Sequence, residues 1–130
     1  MKRFPLISCL TTALLGFATG AGAHHSFAMF DRSQTESIAG TVKEFDLINP
    51  HGWLRVMVPD ANGTLNEWSV EMGGAGQLAR FGWTPDAVHA GDKVTVQLHP
   101  LRDGSYGGQL ISVTLPNGKV LGQRGPAGAP

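Results

Sequence analysis

The sequence predicts an all-β domain of five to six short strands with one short helix. Three observations lead to this fold class. Segments that alternate apolar and polar residues recur along the chain, which is typical of strands buried on one face. Asn-Gly pairs at residues 62–63 and 117–118 favour tight turns between such strands. After the first 23 residues, only residues 75–81 have helical character, and at barely two turns that helix depends on packing against something larger.

The first two strands form a predicted hairpin between Ser37 and Val58. Its apolar positions recur at every second residue: Ile38, Gly40, Val42, then Leu54, Val56 and Val58. The two runs meet at Asn49-Pro50-His51-Gly52. Pro50 fixes its own φ and Gly52 allows the chain to turn back, so the loop is short and stiff. We therefore expect the imidazole of His51 to lie at a defined place on the rim of the sheet.

The order of the remaining elements predicts a particular barrel. A third strand over residues 65–72 precedes the helix, and strands over 93–98 and 109–115 follow it, with a short edge strand at 119–121. Three strands, a helix and two more strands is the order of the five-stranded Greek-key barrel called the OB-fold. A sandwich or an open meander is the alternative, although the chain is too short for the seven strands of a sandwich.

The first 23 residues are predicted to be a helical signal peptide. Lys2 and Arg3 precede an apolar run over residues 4–18, and Ala21-Gly22-Ala23 supplies the small residues of a cleavage site. The run is shorter than the ~20 apolar residues of a membrane helix. A lipoprotein with Cys9 as the lipidated residue is a weaker alternative. We therefore expect a periplasmic or secreted protein with an N-terminal arm over 24–36, an OB-like barrel over 37–121 and a disordered tail over 122–130.

Composition restricts the mature domain. Cleavage removes Cys9, the one cysteine, so neither a disulfide nor a thiolate site remains. It also removes Lys2 and Arg3 and leaves eight Lys and Arg against ten Asp and Glu, a formal balance of −2. This balance predicts no nucleic-acid partner. No block of like charge indicates a membrane surface after cleavage.

Several motifs together resemble a known group of proteins. They are His24-His25-Ser26-Phe27 at the mature start, Asn49-Pro50-His51, Trp68-Ser69-Val70-Glu71, Gly91-Asp92 before Val94, and the closing Asn117-Gly118 turn. The combination resembles an uncharacterised family of small exported bacterial proteins, over nearly the whole mature chain. The resemblance implies an OB-like domain of unknown function and brings no established activity.

Histidines are the candidate site residues. The loop between strands one and two of an OB-fold lies beside the loop between strands four and five, which places His51 near His99. Cleavage after Ala23 makes His24 the amino-terminal residue, so its α-amine and ring nitrogen can both bind one cation, with His25 nearby. Such nitrogen sets suit Cu(II). The sequence therefore predicts a copper or small-ligand site at a histidine-bearing barrel rim, with His24, His51, His99 and His25 as metal ligands.

Other interpretations remain open at this point. The histidines can be structural, with His51 donating to a backbone carbonyl, in a non-catalytic adaptor barrel that binds another periplasmic protein. A histidine-brace copper oxidase-like enzyme is a further alternative. Glu67 and Glu71 share a strand face as a pair of carboxylates, for which a solvated outer face is expected. No catalytic residues are predicted, because no nucleophile or base lies in a suitable context.

Overall fold

The computed structural model describes residues 27–123. The predicted signal peptide, His24, His25 and residues 124–130 lie outside them. The strands are β1 Glu36–Asp46, β2 Trp53–Pro59, β3 Leu65–Glu71, β4 Lys93–Pro100, β5 Gly107–Thr114 and β6 Val120–Gly122. Between β3 and β4 lie helix α1, Ala75–Leu78, and a 3₁₀ turn, Ala79–Phe81; a second 3₁₀ turn, Phe27–Met29, begins the described chain.

Five of the strands close into a barrel. The hydrogen-bonded order is β3-β2-β1-β4-β5, and β3 and β5 pair in parallel to complete the circle. The other four pairings are antiparallel. β6 pairs with the far end of β5, where Val113 faces Leu121, and so adds an extra strand beside the closed barrel. The predicted OB-like barrel with five to six strands and one short helix is confirmed.

The barrel interior is filled by the apolar positions that the alternation predicted. Leu54, Val56, Val70, Val96 and Val113 have no exposed surface. α1 covers one end of this core, because Leu78 is fully buried among the same residues. A single apolar face on such a short helix is enough to hold it in place, since helices of this length gain their stability from tertiary packing.

Two glycines let the strands of the small barrel approach one another closely. A Cβ atom on Gly40 of β1 would lie 2.8 Å from Val56 Cγ1 and would collide with the carbonyl oxygen of Met57. A Cβ on Gly108 of β5 would collide with the carbonyl oxygen of His99. Glycine in a strand interior commonly marks such an approach or a bend. The pairings of these two strands are also irregular: the register shifts once between β1 and β2 and once between β4 and β5.

Most strand boundaries differ from the sequence predictions by one or two residues, and one burial prediction is wrong. β1 begins at Glu36, and Gly122, expected in the tail, belongs to β6. Glu71 was expected on a solvated face with Glu67, but only 7% of its surface is exposed. The alternation of apolar and polar residues correctly placed Glu71 on the outer side of β3. It did not predict that a loop covers Glu71 there. Within residues 27–123, no helix is both long enough and apolar enough to cross a membrane.

Candidate functional site

An open groove of about 1450 Å³ runs along the outside of the barrel. Its walls come from the β1–β2 loop, the segment from the end of β3 to the 3₁₀ turn, β5, and β6 with the residue after it. The end of β4 and the N-terminal arm contribute one residue each. His51 and His99 both line it. The structure therefore brings these two predicted site residues to one surface, although 48 positions separate them in the sequence.

Backbone hydrogen bonds attach the loop that carries His51 to the exit of β3. The Gly52 N–H donates to the Gly73 carbonyl at 3.0 Å, and the Met72 N–H donates to the Gly52 carbonyl at 2.8 Å. Close contact requires small residues here: a Cβ on Gly74 would lie 2.6 Å from Asn49 Oδ1, and one on Gly52 would lie 3.0 Å from the Asp46 carbonyl oxygen. The loop is thus fixed over the end of β3, in agreement with the short, stiff loop that the sequence predicts.

His51 lies against a buried carboxylate. Its Nδ1 is 3.2 Å from Glu71 Oε1 and 3.3 Å from the Met72 carbonyl oxygen. Both neighbouring atoms are acceptors, so Nδ1 carries a proton. His51 therefore contacts both a backbone carbonyl, as the structural alternative expects, and a carboxylate.

His99 also carries a proton on Nδ1, for a similar reason. Its Nδ1 lies 2.7 Å from the carbonyl oxygen of Gln34, to which it donates. His99 and Glu71 are each register partners of Gln109, on opposite sides of β5. The three side chains therefore form one row across β3, β5 and β4, in which the outer two Cα atoms are two strand spacings apart, about 10 Å.

The N-terminal arm lies along the loop between β4 and β5. Phe30 forms an isolated bridge with Leu101, and the Asp31 N–H donates to the Pro100 carbonyl at 2.8 Å. Arg102 Nε donates to the Ala28 carbonyl at 3.0 Å. Hydrogen bonds from the hydroxyl and the amide of Ser33 lower the pKa of Asp31, so this turn keeps its carboxylate ionised. The arm therefore enters the barrel beside His99.

The described residues do not form a metal centre by themselves. Within residues 27–123, no group of three or more His, Cys, Asp or Glu side chains is arranged to hold a metal ion. His24 and His25 lie outside this part of the chain, so the predicted four-histidine set stays a prediction. His89 lies apart on the connector before β4, where its Nδ1 is 3.8 Å from Asp92 Oδ2.

Sequence reasoning missed two kinds of groove residue. Arg32 and Arg80 bring positive charge to the groove, and Gln77, Gln109 and Gln123 bring amide groups. The Gln123 side chain accepts from the Gly73 N–H and donates to the Leu110 carbonyl, which ties β6 across to β3 and β5. No local motif marks these residues. Only the barrel topology, which sets β5 between β3 and β4, would have pointed to Gln109.

One solved structure resembles the fold. It is the mitochondrial single-stranded DNA binding protein Rim1 from S. cerevisiae, with 16% identity, a TM-score of 0.49, and an alignment over 64% of this chain and 93% of that chain. The prediction of no nucleic-acid partner is withdrawn. The prediction rested on net charge alone, and net charge does not describe how charge is distributed over an OB-like surface. No curated protein matches the sequence.

A family match covers most of the chain. The model of a family of unknown function, DUF6152, matches residues 13–110. The matched range includes both groove histidines, Glu71 and the strands β1 to β4 in full. The expected resemblance to an uncharacterised family with an OB-like domain is confirmed, and the chain belongs to the DUF6152 family.

Proposed function

We propose that this protein is an exported binding module that holds a metal ion, with copper as the leading candidate, or a small ligand in its groove. The observation that carries the proposal is the shared arrangement of His51 and His99. Both rings line one groove, and each directs its Nδ1 proton to an oxygen acceptor. Metal-binding histidines characteristically use one ring nitrogen in this way, and the acceptor fixes the tautomer and the orientation of the other.

The acceptors also match the chemistry of a metal centre. Glu71 is a buried carboxylate beside His51, and such a carboxylate increases the basicity of the ligating nitrogen. Imidazole nitrogens suit copper, which stands at the top of the divalent affinity series. No protein thiolate competes in the predicted mature chain, because Cys9 lies in the signal peptide.

Further nitrogen ligands can come from the predicted amino terminus. Phe27, the first described residue, begins the arm that contacts the β4–β5 loop beside His99. His24 is three positions before it, and three extended residues span at most about 11 Å. We propose the α-amine and ring of His24, with the ring of His25, as ligands additional to His51 and His99.

Copper titration of the chain that begins at His24 tests the proposal. Binding is measured by calorimetry in a non-coordinating buffer, and the nitrogen ligands are counted from the EPR hyperfine pattern. We expect His51→Gln and His99→Gln each to weaken Cu(II) binding by more than about tenfold. One extra glycine before His24 should also weaken binding, since it moves the α-amine away from the His24 ring.

The matched control is His89→Gln, which changes an exposed histidine outside the groove. It should bind copper as the unchanged protein does. Copper binding that is indifferent to both His51 and His99, or no binding at all, would contradict the proposal. That result would favour the adaptor barrel with structural histidines.

A further inference from the structure

Positive charge is concentrated in the groove although the chain as a whole is balanced. The sequence has ten Lys and Arg and ten Asp and Glu. Among the described residues that line the groove, Arg32 and Arg80 are cationic and Glu71 is the one carboxylate. Glu71 is also buried and lies against His51, and the two guanidinium groups outnumber it in the groove. The groove therefore attracts anions more strongly than the net charge suggests.

Arg80 is placed to bind a ligand directly. It lies in the exposed 3₁₀ turn after α1 and lines the groove. Among the contacts within residues 27–123, none engages its guanidinium in a hydrogen bond or ion pair. A guanidinium presents a planar fork of donors that matches a carboxylate or a phosphate in a bidentate arrangement. In contrast, Arg55 and Arg102 already contact carboxylates of the protein.

The rest of the groove suits a small polar molecule. The amides of Gln77 and Gln109 and the hydroxyl of Ser112 offer donors and acceptors, and Phe81 offers an apolar surface. Among the described residues that line the groove, Phe81 is the sole Phe, Tyr or Trp, whereas single-stranded nucleic acids are usually held by several stacked aromatic side chains. The volume exceeds the roughly 300–1000 Å³ of typical ligand pockets, which leaves room for an anion beside a metal ion.

We propose that the groove binds a small organic anion whose carboxylate or phosphate group pairs with Arg80 and whose other end faces His51 and His99. This inference rests on the proposed function, because it names the class of ligand that the same groove takes. A carboxylate that chelates the metal would join the two parts of the site. In an anion with more than one acid group, one group would pair with Arg80 while another binds the metal.

Calorimetry on metal-free protein, treated with a chelating resin, tests the anion site separately from copper. Citrate and inorganic phosphate are titrated at low ionic strength into the chain that begins at His24, and the comparison of the two distinguishes a carboxylate from a phosphate ligand. We expect one of them to bind, and Arg80→Gln to weaken that binding by about tenfold or more, since it removes a charge-assisted hydrogen bond. Lys93→Gln, an exposed cation at the opposite end of β4 from His99, should bind as the unchanged protein does.

Three results would overturn the inference: no binding of either anion, equal binding by the Arg80→Gln variant, or stronger Arg80-dependent binding of a single-stranded oligothymidylate. The last would assign the groove to nucleic acid. A separate copper titration without anions shows which proposal has failed. Copper binding that persists and still requires His51, while no anion binds, leaves the metal function intact and removes only the organic-anion ligand.

Discussion

Individual residues of the site differ in how far the sequence could predict them. The convergence of His51 and His99 was predictable, because the order of strands fixes which loops of an OB-like barrel are neighbours. The burial of Glu71 was not, since the same alternation that placed it on the polar side of β3 placed Glu67 there as well. The β1–β2 loop folds over one of the two carboxylates and leaves the other 35% exposed, which depends on tertiary contacts.

Glu71→Gln tests the role of that buried carboxylate at the scale of one residue. The amide keeps the shape and one oxygen acceptor for His51 Nδ1 but removes the negative charge. We expect copper affinity to fall about tenfold, the lower end of the effect of losing a partner that orients a metal ligand. Glu67→Gln, on the same face of the same strand, should leave the affinity unchanged. Calorimetry gives both affinities, and equal values for the two variants would mean that Glu71 only packs.

Single elements were predicted well where packing and local pattern agree. The helix was expected over residues 75–81, and α1 with its 3₁₀ turn occupies that range, closed by Gly82 in the left-handed region at φ 86°. The sequence did not predict toward which surface of the barrel the exposed side of this helix points. That direction follows from Leu78, whose burial turns Arg80 toward the groove. The charge of the site therefore depends on one packing contact of a very short element.

Gly40→Ala tests why β1 carries a glycine in its middle. The added methyl group would meet the Met57 carbonyl and Val56 Cγ1, so β1 and β2 must move apart. We expect a loss of about 2 kcal/mol in the free energy of unfolding, measured by urea denaturation. Gly76→Ala is the matched control, because nothing lies within 4 Å of its added carbon and the residue is in α1. It should be neutral or stabilise by about 0.5 kcal/mol, and an equal loss from both variants would refute the crowding argument.

At the scale of the whole molecule, Trp83 links the extra strand to the barrel. Its side chain is 2% exposed, its ring centroid lies 5.7 Å from that of Phe45, and its Nε1 donates to the Gly122 carbonyl at 2.8 Å. The sequence patterns did not predict that this tryptophan holds β6. That bond crosses 39 residues of sequence, which local patterns do not reveal.

Trp83→Phe removes the hydrogen bond while keeping an aromatic ring. The Gly122 carbonyl would lose its partner, so we expect about 2 kcal/mol less stability in guanidinium denaturation. Hydrogen exchange should become faster at β6 before it does so in β1 to β5, since within residues 27–123 β6 pairs with β5 alone. Trp53→Phe, at the half-buried start of β2, should cost less than about 1 kcal/mol. Uniform exchange across all strands would contradict the assigned role of Trp83.

The parallel pairing of β3 with β5 has a kinetic consequence. The segment Ser69 to Glu71 meets Gly107 to Gln109 across nearly forty residues, and the row that ends in His99 exists only once these strands have met. Contacts so distant in sequence form slowly, because the chain entropy of a long loop is lost before the contact is gained. In a partly folded chain, the binding surface would therefore be absent until β3 and β5 pair. Any ligand would recognise the finished barrel and, by mass action, protect it from reopening.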